Sequence, residues 1–436
     1  MSRAWSLALP LLTVIVVSYA LLVAGAPRAV VGARVYGGPT EGATALSLRA
    51  EVVQRDGERE APYWNGPLAV QARAAGKTLA TLSVSHALHG VTDFTLPLAT
   101  PLRGPVQLEL RDALGALLAG GEASLSVERW AAHARRRGGW IRGRDAGGLV
   151  ISVAAERGAF VVGASDPLLI RVEQAGSAVA GAALTISAEG ALLSDAQGLK
   201  SDARGRARVG FRATELNPTV RVEARTDDGQ SGVIDTGVAL VPGAFYGALT
   251  PEGLRVESAA PRDEAYFSVV NDAGRVSGGV LALTPDGRGG SVGVSSLAAF
   301  SHPAWLVLSS DVDQNSAATI GWPLDVGAEP AQTFDVPEQL LLDGLPSAFA
   351  REQQRRSRVR WLSGAFIALA FALSVVLLVL RVRAADRDIS THLREGLDPE
   401  IAARVAPRRL LALLVAVLGI ALGFVALGLI VVARSR

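Results

Sequence analysis

Two kinds of hydrophobic pattern divide the chain. Three stretches are continuously apolar: Ala4 to Ala26, Trp361 to Leu380 and Leu410 to Ala433, none holding an acidic or basic residue. At about 1.5 Å per residue, each predicts a helix able to cross the roughly 30 Å hydrocarbon core of a bilayer. Arginines bracket the later two, Arg360 and Arg381 on one, Arg408, Arg409 and Arg434 on the other. Between the first and second stretches the period changes to two. Leu169-Ile170-Arg171-Val172-Glu173, Ala207-Arg208-Val209-Gly210-Phe211 and Val220-Arg221-Val222-Glu223-Ala224 alternate apolar with polar. Turn signals such as Asp227-Asp228-Gly229, Asp272-Ala273-Gly274 and Pro285-Asp286-Gly287 separate such runs. Short alternating strands between turns predict antiparallel β-sandwiches.

A unit recurs in this middle region. Pro105, Pro218 and Pro303 each open an alternating strand, where a missing N–H costs least, and an acidic turn follows each strand. A further alternating strand lies upstream in each case, at 92–98, 206–212 and 290–295. The repeat predicts tandem domains at 34–127, 148–243 and 244–328, with a basic linker at 128–147 and a juxtamembrane linker at 329–358. A transmembrane helix is expected at 359–381, a cytoplasmic loop at 382–409 and a last helix at 410–433. Within that loop, Asp398 and Pro399 signal a short helix with Leu397, Ile401 and Val405 on its apolar stripe.

Residues 1–27 read either as a retained signal anchor or as a cleaved signal peptide. Ala24-Gly25-Ala26 has the small residues of a cleavage site, whereas Pro27 after it and the length of the apolar run argue for retention. Both readings send the middle of the chain across the membrane. Seven arginines between Arg381 and Arg409 favour a cytoplasmic loop there, and the five from Arg351 to Arg360 pull the other way.

Charge sharpens this picture. Between Pro27 and Ala350 there are 28 basic and 35 acidic residues, so the excess of arginine sits beside the apolar stretches. A nucleic-acid binder carries its positive charge on the folded domain, so nucleic acid is not expected as a partner. Lysine occurs only at positions 77 and 200. There is no cysteine, which excludes disulfides, thiolate metal sites and cysteine nucleophiles.

Other candidate chemistry fails on context. Gly289-Gly290-Ser291-Val292-Gly293 has the spacing of a nucleophile elbow, but strand-like sequence flanks it and no helix follows. Asp311-Val312-Asp313-Gln314-Asn315 starts like a calcium loop, but Ser316 and Trp322 stand where Gly and Glu are needed. His86 and His89 would point to opposite faces of a strand. No catalytic residue, metal or cofactor is expected.

The middle copy resembles a bacterial Ig-like or macroglobulin-type domain. The residues that carry this are Asp166 to Val172, then Val179-Ala180-Gly181-Ala182, then Asp202-Ala203-Arg204-Gly205-Arg206-Ala207. The resemblance implies an Ig-like sandwich fold; taken with the repeat and the apolar stretches, the expected fold class is all-β tandem Ig-like sandwiches, extracytoplasmic, plus three transmembrane α-helices. Macroglobulin protease traps carry a cysteine-based thioester, so trapping does not transfer.

Two sets of residues are candidates for contact. Small residues four apart, Gly364, Ala368 and Ala372 on the second stretch and the pairs Ala412 with Ala416 and Gly419 with Gly423 on the third, predict close helix packing. Arg129, Trp130, Arg135, Arg136, Arg137, Trp140, Arg142 and Arg144 form a basic segment suited to anionic headgroups or an acidic partner, or else to a solvated linker paired with the acidic sandwiches. The expected function is a non-enzymatic, membrane-anchored envelope scaffold in a bacterial cytoplasmic membrane. It would be multi-pass and present its sandwiches to a protein partner. The alternative is a sensor subunit acting through its transmembrane hairpin.

Overall fold

The computed structural model of the protein describes residues 12–13, 15–17, 19–20, 26–102, 104–123, 135–137, 139–145, 147–297, 300–316, 318–325, 327, 329–331, 333–335, 339–393, 415, 417–419 and 421–426. The chain forms two units, Val31–Leu345 on the one hand, and Met1–Val30 with Pro346–Arg436 on the other.

Val31–Leu345 is built from strands around three hydrophobic cores. The first sandwich uses β1 (Val30–Pro39), β2 (Ala45–Asp56), β3 (Arg59–Pro62), β4 (Leu68–Ala74), β5 (Lys77–Val84), β6 (Val91–Pro97), β7 (Val106–Arg111) and β8 (Leu117–Ala123). In one sheet β2 lies between β1 and β6, with β3 beside its far end; the other runs β5-β4-β7-β8. Alternation does the sorting. Val106, Leu108 and Leu110 are wholly buried, while Gln107 and Arg111 between and beyond them are exposed.

The other two sandwiches repeat this wiring. After β9 (Arg135–Arg137) and β10 (Ile141–Arg142), the second uses β11 (Val150–Ala155), β12 (Phe160–Val161), β13 (Ser165–Gln174), β14 (Ser177–Ala178), β15 (Ala183–Glu189), β16 (Ala191–Ser194), β17 (Arg206–Ala213), β18 (Thr219–Arg225) and β19 (Ser231–Gly237). Its sheets run β10-β11-β13-β17-β16 and β15-β18-β19. A parallel pair of β12 with β20 (Leu240–Val241) leads onward. The third uses β21 (Tyr246–Thr250), β22 (Gly253–Ser258), β23 (Glu264–Asn271), β24 (Gly274–Ala282), β25 (Thr284–Pro285), β26 (Ser291–Ser295), β27 (Ala304–Ser309), β28 (Ile320–Pro323) and β29 (Thr333–Asp335). Its sheets run β21-β22-β26-β25 and β24-β23-β27-β28-β29-β9.

Lettered in order, each sandwich pairs strands A, B and E in one sheet and C, F and G in the other. That division is the one immunoglobulin-type sandwiches make, so these are tandem Ig-like modules. The three proline-opened strands are β7, β18 and β27, strand F every time, and the upstream strands are β6, β17 and β26, strand E every time. The turns that precede β17 and β26 share their chemistry. Asp202 Oδ1 accepts the N–H groups of Arg204 and Arg206 at 2.8 and 2.9 Å, and Asp286 Oδ1 those of Arg288 and Gly290 at 2.7 and 2.9 Å.

Two stretches read as linkers are structured. The basic linker contributes β9, antiparallel to β29, and β10, antiparallel to β11. In the expected juxtamembrane linker, β29 joins the third sandwich and β30 (Leu340–Asp343) returns to pair with β1 of the first. These short added strands cover edges that would otherwise offer unpaired backbone groups. The two lysines also stand at edges. Lys77 opens the edge strand β5, and exposed Lys200 bridges to Ala183 beside β15.

After Gly344 the chain enters helix α1, Leu345–Leu393. Among the described residues, Leu345–Ala384 is the one helix long and apolar enough to cross a membrane, in place of the three expected. Helical residues are also found at 12–13, 15–17 and 19–20 and at 415, 417–419 and 421–426; apart from Ala26, the rest of the first and third apolar stretches, and the short helix signalled at Asp398, lie outside the described residues. Helix α1 overruns its expected start because its polar opening is a good helix. Glu352 pairs with Arg355 one turn on at 2.7 Å and with Arg356 at 3.1 Å.

Candidate interaction surfaces and the buried arginine junction

The first and third sandwiches meet at a charged cluster. β2 is buried on both faces. Leu46, Leu48 and Ala50 fill the first core, while Ser47 and Arg49 face the third sandwich. Arg49 stands opposite Asp93 in the β2–β6 register and donates from Nε to its Oδ2 at 3.0 Å. Its Nη2 reaches the carbonyls of Phe267 at 2.8 Å and Gly279 at 3.0 Å, and Nη1 that of Val312 at 3.2 Å. From the other side Arg275 on β24 donates to Asp93 Oδ1, to Ser47 Oγ at 2.9 Å and to Ser268 Oγ at 3.1 Å. Both guanidiniums are 1% exposed. Burial pushes the Asp93 pKa up, but Arg49 and Arg275 outweigh it and hold the carboxyl below its usual range. Each ion thus has its partner and its remaining hydrogen bonds, the condition a buried charge must meet. Nothing in the alternation of 45–50 marks Arg49, because a polar residue at that spacing reads as solvent-facing.

Beside this junction lies a groove of about 390 Å³, lined among others by Arg34, Tyr36, Glu51, Tyr266, Asp311 and Asp313. Glu51 Oε2 accepts from Tyr36 Oη at 3.1 Å and from Arg34 Nη1 at 3.4 Å. Burial, then the Glu51 charge, raises the Tyr36 pKa, so its hydroxyl stays protonated. The Asp311–Asn315 stretch is the turn between β27 and β28. Its Gln314 is buried, accepting from Ser268 Oγ at 2.7 Å and donating to the Tyr266 carbonyl at 3.2 Å.

The second and third sandwiches meet around Arg157, whose guanidinium lies 5.1 Å from the Tyr246 ring centroid and 5.3 Å from that of Trp322. Asp166, 4% exposed, is pushed up to about 7, chiefly by burial, with Arg157 and Arg208 pulling down and Glu156 pushing up. Glu156 accepts from Arg208 Nη2 at 2.7 Å. A neighbouring cavity of about 280 Å³ is lined by residues that include Ser165, Arg212, Tyr246 and Arg288.

The basic segment is not gathered into one patch. Arg129 and Trp130 lie outside the described residues. Arg135, Arg136 and Arg137 form β9 on the third sandwich, whereas Arg142 belongs to β10 on the second. Trp140 donates to Glu329 Oε2 at 3.0 Å and takes the Arg171 guanidinium over its ring at 4.7 Å. Arg142 and Arg144 are exposed.

The small-residue stripe is not the covered face of α1. Gly364, Ala368 and Ala372 are exposed, as are Gly419 and Gly423. A Cβ built at Gly364, Gly419 or Gly423 meets no atom within 4 Å. Ala412 and Ala416 lie outside the described residues. The covered face instead runs through Ser363, Ile367, Ala370 and Ser374. Val17 and Ile367 pack together with Phe424, whose ring meets Phe371 edge-on at 5.6 Å. Among the described residues, the contacts between these segments are made by large side chains.

The remaining candidates are structural. Ser291 lies within β26, its Oγ accepting from Arg262 N at 2.9 Å. His89 contacts Glu264 through Nδ1 at 2.7 Å, and His86 is exposed. Among the described residues no three His, Asp or Glu side chains are grouped to hold a metal.

No protein-family model matches the chain, and no curated protein matches it. Solved structures that are similar to it include the Yersinia pseudotuberculosis adhesin InvE, 12% identical over 57% of this chain and 72% of that one, with a TM-score of 0.16. Invasin, a bacterial integrin-binding protein, is 11% identical over 64% of this chain and 56% of its own, with a TM-score of 0.16. A tetra-tandem repeat from the extending region of a large adhesion protein is 10% identical over 71% and 74%, with a TM-score of 0.18. The Ig-like wiring described above rests on this chain's own strand pairing.

Proposed function

We propose that the protein is a non-enzymatic, membrane-anchored scaffold that presents three Ig-like modules to a protein partner outside the cytoplasmic membrane. The modules are the stretches 34–127, 148–243 and 244–328, the first completed by β30 and the third by β9 and β29. The observation that carries this reading is the return of β30 to β1 after the third module, together with the Arg49–Asp93–Arg275 junction. A chain that closes on itself holds its loops and edges in one arrangement, which suits presentation of a composite surface better than a flexible string does. Helix α1 supplies the anchor. The burial of Thr13 and Val17 favours a retained first stretch over a cleaved one, and a multi-pass arrangement follows if the third stretch also crosses.

Topology and partner are tested together. A reporter active only outside the cytoplasm, fused after Gly243 or after Ala385, is expected to be active at the first position and silent at the second. Crosslinking in intact envelopes followed by affinity capture is expected to recover a partner through residues of Val31–Leu345. The opposite reporter pattern overturns the orientation, and turnover of an envelope component by the purified protein overturns the non-enzymatic reading.

A further inference from the structure

The first 16 residues of α1 after Leu345 hold five arginines, Arg351, Arg355, Arg356, Arg358 and Arg360, against one acid, Glu352. A distant segment joins them. Arg355 Nη2 donates to the carbonyl of Ala26 at 2.8 Å, and the backbone N–H of Arg28 donates to Glu352 Oε1 at 3.3 Å. Arg28 is exposed, so its charge adds to the group. These contacts set Arg28, from a segment more than 300 positions away, beside the arginine-rich opening of α1, which extends about 14 Å along the helix from Arg351 to Arg360 and holds one acid, Glu352.

This stretch ends where the apolar surface begins. Trp361, 79% exposed, follows Arg360, and the 20 residues from Trp361 to Leu380 carry no charge. Twenty residues match the roughly 30 Å hydrocarbon core, and an exposed Trp at its rim belongs at the headgroup level. On the first segment the apolar stretch likewise ends at Ala26. At about 100° per residue, Arg351, Arg355 and Arg358 share a sector of about 60°, while Arg356 and Arg360 point to the other side. Charge on both sides fits a ring of ligands around the helix.

We propose that Arg28 and these five arginines form a collar that binds the phosphate groups of anionic phospholipids. This rests on the membrane-anchor reading above. Guanidinium supplies paired N–H donors for phosphate oxygens and is only weakly hydrated, so it stays effective at the headgroup level. Zwitterionic headgroups cancel their own charge and gain little from the collar.

The test uses the full chain in vesicles of equimolar phosphatidylcholine and phosphatidylglycerol, with spin-labelled lipid of either kind reporting the fraction held at the protein surface. At low salt phosphatidylglycerol is expected to be selected several-fold, and the selection to shrink in high salt. Changing Arg351, Arg355, Arg356, Arg358 and Arg360 together to Gln is expected to bring it to parity, and Arg358→Gln alone to lower it by a part of that selection. An unchanged held fraction of phosphatidylcholine shows that a variant still inserts; if the multiple variant does not, Arg358→Gln and the salt series decide. Inorganic phosphate at matched ionic strength is expected to do no more than sodium chloride; specific displacement would make this a free-phosphate site and overturn the proposal. So would selection that is absent in the native chain or retained in the variants. Release of the native chain by alkaline carbonate overturns the anchor reading as well, whereas retention without selection overturns the collar alone.

Discussion

Arg275 of the third sandwich donates to Asp93 of the first, with 182 positions between them and side chains 1% and 7% exposed. Arg49 holds the other oxygen of the same carboxylate. One acid therefore serves two buried cations, and its removal leaves both uncompensated. Asp93→Ala is expected to destabilise the protein by about 3–5 kcal/mol in chemical unfolding, the cost of breaking a buried pair. Because the folded Asp93 pKa lies below its ordinary value, this stability is present above that value and lost as pH falls through the lower, folded one. Native stability that is unchanged in Asp93→Ala would show that the junction does not join the sandwiches.

Asp166 titrates in the opposite sense. Its folded pKa is raised to about 7, so the fold favours the protonated acid. Between the unfolded value near 4 and pH 7 the unfolded chain binds fewer protons than the folded one, and stability falls by about 1.4 kcal/mol per pH unit at most. Asp166→Asn, which keeps the shape without the charge, is expected to be more stable than the native chain above pH 7 and to lose this slope. Urea unfolding from pH 5 to pH 8 reads the difference; parallel curves for the two proteins would refute the burial account.

The Ig wiring was legible because strands E and F announce themselves locally. An opening proline at 105, 218 and 303 and an alternating run behind it need no tertiary information. The junctions were not legible. Arg49 and Arg275 have the spacing of surface residues, and only the meeting of two sandwiches makes those faces interior. The linkers misled for a related reason. Three residues of β9 and four of β30 are too short to show a period, and their pairing partners lie about 200 and 300 positions away. On α1, among the described residues, the contacts run through Ile367 and Phe371, whose place on the helix the small-residue spacing does not mark.

Gly344, between β30 and α1, has no room for a side chain. A Cβ there would lie 1.9 Å from the Leu118 carbonyl oxygen. Gly344→Val must therefore push β30 away from β8, uncovering Leu342 and the edge of β1. Its unfolding midpoint is expected to drop by several degrees, the effect of a few kcal/mol in a structure of this size. Hydrogen exchange at Val35 and Tyr36, which pair with β30, is expected to rise first. Protection at those amides equal to the native chain would show that β30 does not depend on this close approach.

The helix contacts make a prediction that separates large from small side chains. If Phe371 and Phe424 hold their segments together edge-on at 5.6 Å, removing either ring takes away the contact itself. Phe424→Ala also strips Val17 and Ile367 of the side chain packed against them. Gly423→Leu is different, because a side chain there enters open space and displaces nothing within 4 Å. In a bilayer, where lipid tails solvate an added leucine as readily as protein does, that substitution has little to lose. Disulfide crosslinking between cysteines placed at positions 367 and 17 measures the association, and the native chain has no cysteine to interfere. Crosslinking is expected to fall several-fold in Phe424→Ala and to stay near the native level in Gly423→Leu. The reverse order would return the contact to the small-residue stripe and show that the aromatic pair is a bystander.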